Sequence, residues 1–215
     1  MGKEIELKVP VSQEQFNSIY QKIYVEKNHE NIIILESSTD KISKSDEYFT
    51  RYNSREEMIK YNEPQVIRIR TEIINGKKQS YFTIKRKTLE NGIEVNKEDE
   101  TFLENDEVLR ILFEEAGYKR WFYKEKSSYS SYCALKEGAE QTSFHLELVT
   151  VNGMNYVEVE LVIDDDEVES KAGVKTKKPE ANPKAELEKF IIALGLNPAD
   201  KDPRSWYQMI SENDH

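Results

Sequence analysis

The stretch Glu4-Ile5-Glu6-Leu7-Lys8-Val9 alternates charged and apolar side chains at every position. Successive side chains of a β-strand point to opposite faces, so this stretch predicts a strand with one ionic and one apolar face. For a single stretch, an edge strand with its polar face in water is an equally good interpretation. The pattern gains weight because it returns along the chain.

Asn-Gly pairs at 75–76 and 152–153 separate several of the later alternating segments. Asn-Gly favours a two-residue hairpin turn, so the strand that begins at Val66 should fold back through Ser80–Lys87. The segments on either side of the second pair should likewise form a hairpin. The remaining strands are predicted at Ile93–Leu103, Tyr118–Leu135, Ser143–Val151 and Tyr156–Asp164.

Four amphipathic helices are predicted from capping residues and apolar stripes. Ser12 opens the first, while Asn182-Pro183 and Asp202-Pro203 open the last two, within 182–213. Asn105 caps the second, whose buried stripe should consist of Val108, Leu109, Leu112, Phe113 and Ala116.

The segments between these elements are less regular. Short strands are predicted at Ile32–Glu36 and Asp46–Thr50. Surface loops are predicted at Arg51–Pro64, with room for one helical turn, and at Asp164–Lys178. We interpret the 215 residues as a single domain, 1–215, with the helices of 182–213 packed on a barrel.

The overall charge limits the classes of ligand. The chain has 31 Lys and Arg against 41 Asp and Glu, a formal net charge of −10, so general binding of nucleic acid or an anionic membrane is not expected. A polyanionic ligand would have to meet a local cluster of Lys and Arg. Cys133 is the only cysteine, which excludes an intrachain disulfide. With no apolar run of membrane or signal-peptide length, a cytoplasmic protein is expected.

The two faces of the strands allow two architectures. With the apolar faces inside, the chain would be an ordinary barrel with a charged surface and no ligand. With the ionic faces inside, the apolar faces would be covered by the helices, giving an α+β, mainly antiparallel fold: a closed eight-stranded tunnel with an ionic lumen. That lumen would contain Glu4, Glu6, Lys8, Arg68, Arg70, Lys85, Lys87, Glu98 or its neighbour Glu100, Lys124, Lys126, Glu158 and Glu160.

An ionic lumen has a restricted chemistry. Isolated buried ions cost several kcal/mol each, so these charges must pair with one another and with a bound ligand. Clustered carboxylates without thiolates suit a hard cation, Mg²⁺ or Mn²⁺. Clustered Arg and Lys suit phosphate oxygens. The pattern therefore predicts a metal–polyphosphate site.

The Glu-x-Glu-x-Lys sequence at 4–8 resembles the signature of the CYTH superfamily, the triphosphate tunnel metalloenzymes. This superfamily includes class IV adenylyl cyclases, thiamine triphosphatases and inorganic triphosphatases. The ending Arg204-Ser205-Trp206-Tyr207 is similar to the aromatic ending of many members. Further motifs follow in the family's order between Glu4 and Glu160: Arg68-Ile-Arg70, Thr83-Ile-Lys85, Lys97-Glu98-Asp99-Glu100, Lys124-Glu-Lys126 and Glu158-Val-Glu160.

The resemblance implies an eight-stranded tunnel that holds a triphosphate and usually two divalent metal ions. Catalytic roles would fall to Glu158, Glu160 and Lys8. The expected phosphate ligands are Lys8, Arg68, Arg70, Lys85, Lys124 and Lys126, with Lys87 added from the strand pattern. The expected metal ligands are Glu4, Glu6, Glu158 and Glu160, with Glu98, Glu100 and Glu147 as further candidates.

The sequence departs from the family's pattern in three places. Glu147 stands where many members carry an aspartate, and its longer side chain changes the geometry. The span around residues 25–45 is longer than members need. Lys87 has no counterpart in the pattern.

Four other residues have ordinary structural interpretations. His145 on a strand is expected to be a hydrogen-bonded structural residue. Cys133 should be a small buried hydrophobe, and Trp121 and Trp206 should lie in the core or an interface.

The predicted function is metal-dependent hydrolysis of inorganic triphosphate or of an organic triphosphate such as thiamine triphosphate. Two alternatives stay open: an adenylyl cyclase that forms cyclic AMP and pyrophosphate from ATP, and a non-catalytic polyphosphate- or nucleotide-binding module. The expected partner is a small triphosphate. The oligomeric state is also open, a homodimer included.

Overall fold

The alternating segments form nine strands that belong to one antiparallel sheet. The computed structural model describes residues 2–61, 65–90, 93–136, 142–164 and 182–213. The strands are β1 (Gly2–Pro10), β2 (Ile32–Ser37), β3 (Ile42–Thr50), β4 (Gln65–Ile74), β5 (Lys77–Glu90), β6 (Ile93–Leu103), β7 (Lys119–Leu135), β8 (Ser143–Val151) and β9 (Met154–Asp164). The helices are α1 (Gln13–Tyr20), α2 (Arg55–Lys60), α3 (Asp106–Glu115), α4 (Pro183–Ala193) and α5 (Trp206–Asn213).

The Asn-Gly pairs at 75–76 and 152–153 form the predicted hairpin turns, and the third pair, at 91–92, lies outside the described residues. Asn75 and Gly76 have φ values of 51° and 76°, and Asn152 and Gly153 have 49° and 76°. Positive φ at both central residues is the geometry that matches the twist of antiparallel strands. These turns set the register of β4 on β5 and of β8 on β9.

The first strand lies inside the sheet, between β6 and β9. Its pairing with β9 places Glu6 opposite Glu160 and Lys8 opposite Glu158. Directly opposed residues of antiparallel strands point to the same face. The register therefore brings charged groups of the first and last strands together on one ionic face.

The sheet has the order β2-β7-β3-β4-β5-β6-β1-β9-β8, and β7 also pairs with β8. The antiparallel α+β architecture is thus confirmed, and each of the nine predicted strand segments corresponds to a strand of the described chain. The sheet differs from the predicted eight-stranded tunnel because β2 is added at β7 as a ninth strand. A closed barrel is not confirmed. β3 pairs with the first part of β7 and β8 with the second part, and the two pairings overlap only at Ser127 and Ser128.

The apolar face of the sheet is covered by helices. Leu7 of β1 and Val159 of β9 belong to one buried cluster with Phe16 of α1 and Phe190 of α4. The ring of Phe190 stacks on Phe144 of β8 with centroids 4.5 Å apart. The helices therefore bury one face of the sheet and leave the other to the charged side chains.

Helix α3 is turned differently from the prediction. Val108 and Leu112, predicted to be buried, are 61% and 59% exposed. Polar groups hold the helix instead: Asp106 pairs with Lys78 of β5 at 2.9 Å, and Arg110 pairs with Glu47 of β3. These ion pairs direct one polar edge of the helix toward the sheet, so half of its apolar stripe faces outward.

Two smaller predictions also have an outcome. The segment predicted as a loop at Arg51–Pro64 contains α2, and residues 62–64 lie outside the described ranges. Most of the predicted loop Asp164–Lys178 also lies outside them. None of the helices in the described part of the chain combines the length and apolar composition needed to cross a membrane.

The packing of α4 gives a direct test of the helix-covered face. Replacing the fully buried Phe190 with alanine should lower the free energy of unfolding by about 3–5 kcal/mol, because it removes a large core side chain and leaves a cavity. Urea denaturation measures this change. The control is Ile192→Ala in the same helix, which is 61% exposed and should change stability by no more than about 0.5 kcal/mol. Equal losses in the two variants would contradict the assigned helix face.

Candidate functional site

The ionic face brings together charged side chains from β1 and from β3 to β9. Each strand contributes alternate residues, and the antiparallel register sets acids beside bases: Asp46 opposite Arg70 and Lys124, and Lys85 opposite Glu98. Neighbouring strands thus supply opposite charges within reach of one another. The described groups of this ionic face are Glu6, Lys8, Lys44, Asp46, Arg68, Arg70, Lys85, Glu98, Lys124, Lys126, Glu147, Glu158 and Glu160.

Asp46 is the most enclosed carboxylate of the face. It is fully buried and accepts two hydrogen bonds from the Arg70 guanidinium, from Nε at 2.7 Å and from Nη2 at 3.0 Å. The ammonium of Lys124 lies 3.0 Å from the same carboxylate. Burial alone would raise the pKa of Asp46, but Arg70 and Lys124 hold it well below its usual value. Asp46 is therefore an anion that fixes two cations.

Glu147 has the same role for a second pair of cations. Its carboxylate lies 2.6 Å from Nζ of Lys44 and 3.0 Å from Nζ of Lys126, and it accepts a hydrogen bond from Ser128. Burial opposes ionisation, yet Lys126 and Lys44 keep the pKa of Glu147 well below its usual value. Lys126 also contacts Glu158 at 2.9 Å. Charged groups of β3, β7, β8 and β9 are thus linked in one network.

The closing strand β9 has two carboxylates with different partners. Glu158 accepts from Lys126 through Oε2 and from the indole of Trp206 through Oε1, at 2.7 Å. Glu160 lies 3.0 Å from Nδ1 of His145, whose Nε2 is 2.8 Å from the hydroxyl of Ser130. The hydrogen bond and charge of His145 outweigh burial and lower the pKa of Glu160 to about 2.

Glu6 differs from these carboxylates because it has no counter-ion in contact. Within the described ranges it forms no hydrogen bond or ion pair. Burial and the neighbouring carboxylate of Glu158 raise the pKa of Glu6 to about 6, with Lys85 and Lys8 offsetting part of the effect. An unpaired, half-buried carboxylate beside two others is an environment that favours a bound cation.

Arg68 is a cationic group with one donor left unsatisfied among the described residues. Its Nη2 donates to Thr83 at 3.0 Å and lies 3.6 Å from Glu98 and 3.5 Å from Glu100, while its buried Nε has no hydrogen-bond partner. Lys85 on the adjacent strand pairs with Glu98 at 2.7 Å. Since buried N–H donors normally have partners, the free Nε marks a position for an acceptor.

Lys8 is held by the C-terminal segment. Its ammonium donates to the carbonyl oxygen of Arg204 at 2.7 Å and lies 5.0 Å from the centroid of the Trp206 ring. The C-terminal region is therefore part of the ionic face, a contribution that the sequence pattern did not predict.

The structure gathers most, but not all, of the predicted site residues. Glu100 lies at the rim, with 42% of its side chain exposed. The side chains of Glu4 and Lys87 lie outside the described part of the chain, although their strands are described. The predicted residues placed on the ionic face are Glu6, Lys8, Arg68, Arg70, Lys85, Glu98, Lys124, Lys126, Glu147, Glu158 and Glu160.

Sequence reasoning missed Lys44 and Asp46 and underrated His145 and Trp206. In β3 the alternation is hidden because both faces carry polar residues, with Ser43 and Glu47 among them. Trp206 packs in a core cluster as expected, but it also reaches Glu158. Cys133 is buried as predicted, and burial raises its pKa to about 12.

The carboxylates are not arranged as a completed metal site. Among the described side chains, no group of three or more Asp, Glu, His or Cys residues is gathered closely enough to hold a metal ion. Glu158 and Glu160 are turned toward Lys126, Trp206 and His145. A metal would therefore have to draw these carboxylates toward Glu6.

Comparisons with known proteins identify the fold through structure and not through sequence. No protein-family model and no curated protein matches the chain. A solved structure of the PH1819 protein from Pyrococcus horikoshii OT3 matches with a TM-score of 0.65 at 19% identity, over 98% of this chain and 99% of that one. A conserved hypothetical protein from Pyrococcus furiosus matches with a TM-score of 0.62 at 22% identity, over 95% and 98%.

A third similar structure comes from a Vibrio parahaemolyticus protein described as a "putative adenylate cyclase". Its TM-score is 0.61 at 17% identity, over 97% of both chains. The chain shares its fold with these proteins. A fold of the adenylate cyclase type is what the resemblance to the triphosphate tunnel metalloenzymes implied, so this part of the prediction is confirmed.

The enclosed position of Asp46 predicts a large loss of stability in Asp46→Asn. The variant leaves Arg70 and Lys124 without their anion, and removing one partner of a buried ion pair costs about 3–5 kcal/mol. The exposed control Asp40→Asn should be near neutral in urea denaturation. Because the folded-state pKa of Asp46 is depressed, the difference from wild type should shrink as pH falls below the usual value of 3.8. A difference that grows in acid would contradict this role.

Glu6→Gln should have the opposite effect on the metal-free protein. The folded-state pKa of Glu6, about 6, lies above the usual 4.5, so its ionisation lowers stability as pH rises through this interval. Above pH 6, with a chelator present, the variant should have a higher free energy of unfolding than wild type. Glu98→Gln is the matched control: Lys85 and Arg68 outweigh burial and lower the pKa of Glu98, so this variant should be destabilised. Destabilisation of both variants would show that Glu6 has a counter-ion.

Proposed function

We propose that this chain is a divalent-metal-dependent hydrolase of triphosphates, either inorganic triphosphate or an organic triphosphate such as thiamine triphosphate. The observation that carries the proposal is the buried Nε of Arg68, a donor with no acceptor among the described residues, on a face that also carries Lys85 and other bases. A guanidinium presents planar, forked donors that match phosphate oxygens. Glu6, an acid without a counter-ion, lies on the same face.

The proposal includes a closed tunnel. The pairing of β7 with both β3 and β8 supports this, because a sheet of β1 and β3 to β9 that curls round onto β7 would close into a tunnel of eight strands. The ionic faces of these eight strands would line the lumen of that tunnel. Such a lumen excludes bulk water and strengthens the electrostatic contacts made there.

The donor chemistry of Glu6, Glu158 and Glu160 fits Mg²⁺ or Mn²⁺, since these hard cations prefer carboxylate oxygens. The raised pKa of Glu6 supports this fit, because a cation would favour its ionised form. Glu4 on the same strand would complete the set. Glu98 and Glu147, each held between two bases, are better suited to positioning those bases. When bound, the metal supplies charge neutralisation at phosphate oxygens and lowers the pKa of a water ligand.

The bases would bind the phosphate groups, and the carboxylates paired with them would hold the bases in position. Arg68 and Lys85 would bind phosphate oxygens on one side of the lumen, while Arg70, Lys124 and Lys126 would do so on the other. Asp46 and Glu147 would fix the latter bases in advance, so little reorganisation accompanies the reaction.

Glu160 would orient the attacking water from its place opposite Glu6. Lys8, across the strand pair from Glu158, would neutralise charge on the phosphate group that leaves. Both residues lie on the β1–β9 strand pair.

Two other functions have support. The fold shared with the Vibrio parahaemolyticus protein favours an adenylyl cyclase, in which a ribose hydroxyl would replace water. The lack of a gathered carboxylate triad among the described residues favours a module that binds polyphosphate without turnover. The products formed from each substrate distinguish the three.

The test is product analysis with Mg²⁺ or Mn²⁺ on tripolyphosphate, thiamine triphosphate and ATP. Orthophosphate should be released, and Arg68→Lys should lower kcat/KM by about 10²–10³-fold, because lysine cannot supply the forked donors. The matched control is Arg86→Lys on the same hairpin. Arg86 is paired with Asp99 and more exposed, so its replacement should leave kcat/KM near wild type.

Each of the other results has a distinct meaning. Cyclic AMP with pyrophosphate would identify the cyclase. Metal-dependent binding of tripolyphosphate without any product would identify the binding module. If the protein neither binds nor cleaves these three compounds, the proposed function is wrong.

A further inference from the structure

One group on the ionic face comes from outside the sheet. Trp206, the first residue of α5, donates a hydrogen bond from its indole Nε1 to Oε1 of Glu158 at 2.7 Å. Its ring centroid lies 5.0 Å from the ammonium of Lys8 and 5.7 Å from that of Lys124. The indole therefore touches an expected metal ligand and two expected phosphate ligands at once.

The position of the indole is fixed by the packing of its helix. Met209 and Ile210 of α5 lie in a buried cluster with Val149 and Tyr156 of the sheet. The Tyr156 ring meets the Trp206 ring edge-on, with centroids 5.0 Å apart. Ser205 and Gln208 exchange hydrogen bonds at the start of the helix. The position of Trp206 beside Glu158 is thus fixed by a helix that packs against the sheet through other residues.

The segment before α5 is tied to Lys8 at two points. The backbone N–H of Asp202 donates to the carbonyl of Lys8 at 2.9 Å, and the ammonium of Lys8 donates to the carbonyl of Arg204 at 2.7 Å. The Arg204 guanidinium in turn contacts the Asp202 carboxylate at 2.7 Å. Docking of the C-terminal segment and placement of the Lys8 ammonium are therefore coupled.

The contacts of Glu158 leave its carboxylate with one orientation. Lys126 donates a hydrogen bond to one oxygen, and the indole of Trp206 donates a hydrogen bond to the other. Each carboxylate oxygen accepts through two lone pairs, so each retains capacity for a further ligand. Hydrogen bonds of this kind orient ligating carboxylates, and their loss typically weakens metal binding 10- to 100-fold.

We propose that Trp206 is a positioning residue, which orients Glu158 for the metal and holds α5 against Lys8. The inference rests on the proposed function, since it assumes that Glu158 ligates a divalent cation. The C-terminal helix α5 therefore belongs to the functional site. The indole N–H of Trp206 is the group that orients Glu158, because an aromatic ring without this N–H cannot donate to the carboxylate.

The test compares Trp206→Phe with Trp121→Phe, the replacement of the other tryptophan. Trp121 packs against Tyr207 of α5 at 4.8 Å, so its replacement disturbs the same helix without removing the bond to Glu158. Mn²⁺ binding is measured by electron paramagnetic resonance of the free ion, without tripolyphosphate, because tripolyphosphate itself chelates Mn²⁺ and would be hydrolysed. Trp206→Phe should bind Mn²⁺ about 10- to 100-fold more weakly than wild type, whereas Trp121→Phe should bind near wild type. Tripolyphosphate binding in a chelator should change little in Trp206→Phe, because the ring and the bases remain.

A second measurement does not depend on the folding of Trp206→Phe. The Trp121→Phe variant keeps Trp206 as its single tryptophan, since the chain has two. Mn²⁺, a paramagnetic quencher, should reduce the Trp206 fluorescence saturably, and Mg²⁺ should reverse the effect by competition. Quenching of this kind would place the bound ion close to the indole.

Several results would overturn the inference. Equal Mn²⁺ affinity in Trp206→Phe and wild type would do so while leaving the proposed function intact. Equal losses in the two tryptophan variants would reduce the effect to general packing, and unquenched Trp206 fluorescence would place the ion elsewhere. If wild type binds no Mn²⁺, the metal part of the proposed function and this inference both fail.

Discussion

The structure depends on ion pairing across one face of an antiparallel sheet. A buried charge without a partner costs several kcal/mol, so a face made of Lys, Arg, Asp and Glu is stable only if the strand register brings acids beside bases. Asp46 between Arg70 and Lys124 and Glu147 between Lys44 and Lys126 satisfy this requirement. A register slip of one residue in any of these strands would turn every charged side chain of that strand to the apolar face. The same pairs that stabilise the fold therefore also set the geometry of the site.

The proposed function depends on the points where this pairing is incomplete. Most bases of the ionic face have an acid within reach, but Nε of Arg68 has no acceptor and Glu6 has no base in contact. Unmatched buried groups of both signs are hard to explain as scaffold, since each reduces stability without a compensating contact. They are readily explained by a ligand that carries both phosphate oxygens and a cation. The helices on the apolar face allow this, because they provide a core that does not involve the charged side.

Much of the fold could be predicted from local pattern. The alternation at Glu4–Val9 and the Asn-Gly turns fix strands and hairpins through short-range geometry, and these predictions are confirmed. The features that were missed depend on long-range contacts. Helix α3 is oriented by ion pairs from Asp106 and Arg110 that its own stripe does not reveal. Likewise Trp206 reaches Glu158 across 48 positions of sequence, and no local signal encodes that contact. The predicted roles of the site residues stay predictions, since geometry places them together without showing what they bind.

The interlocked acids and bases have a further consequence for how a ligand enters. Open phosphate-binding grooves usually attract their ligands through an excess of positive charge, and salt weakens that attraction. Here the internal carboxylates leave the enclosed surface close to electroneutral. Such a surface attracts a free polyanion only weakly. A triphosphate that is already complexed with its divalent cation carries a smaller net charge, so its desolvation costs less. Under the proposed function, the balanced lining would favour admission of the metal complex over the free anion and would make the entry step far less sensitive to ionic strength than in an open cationic groove.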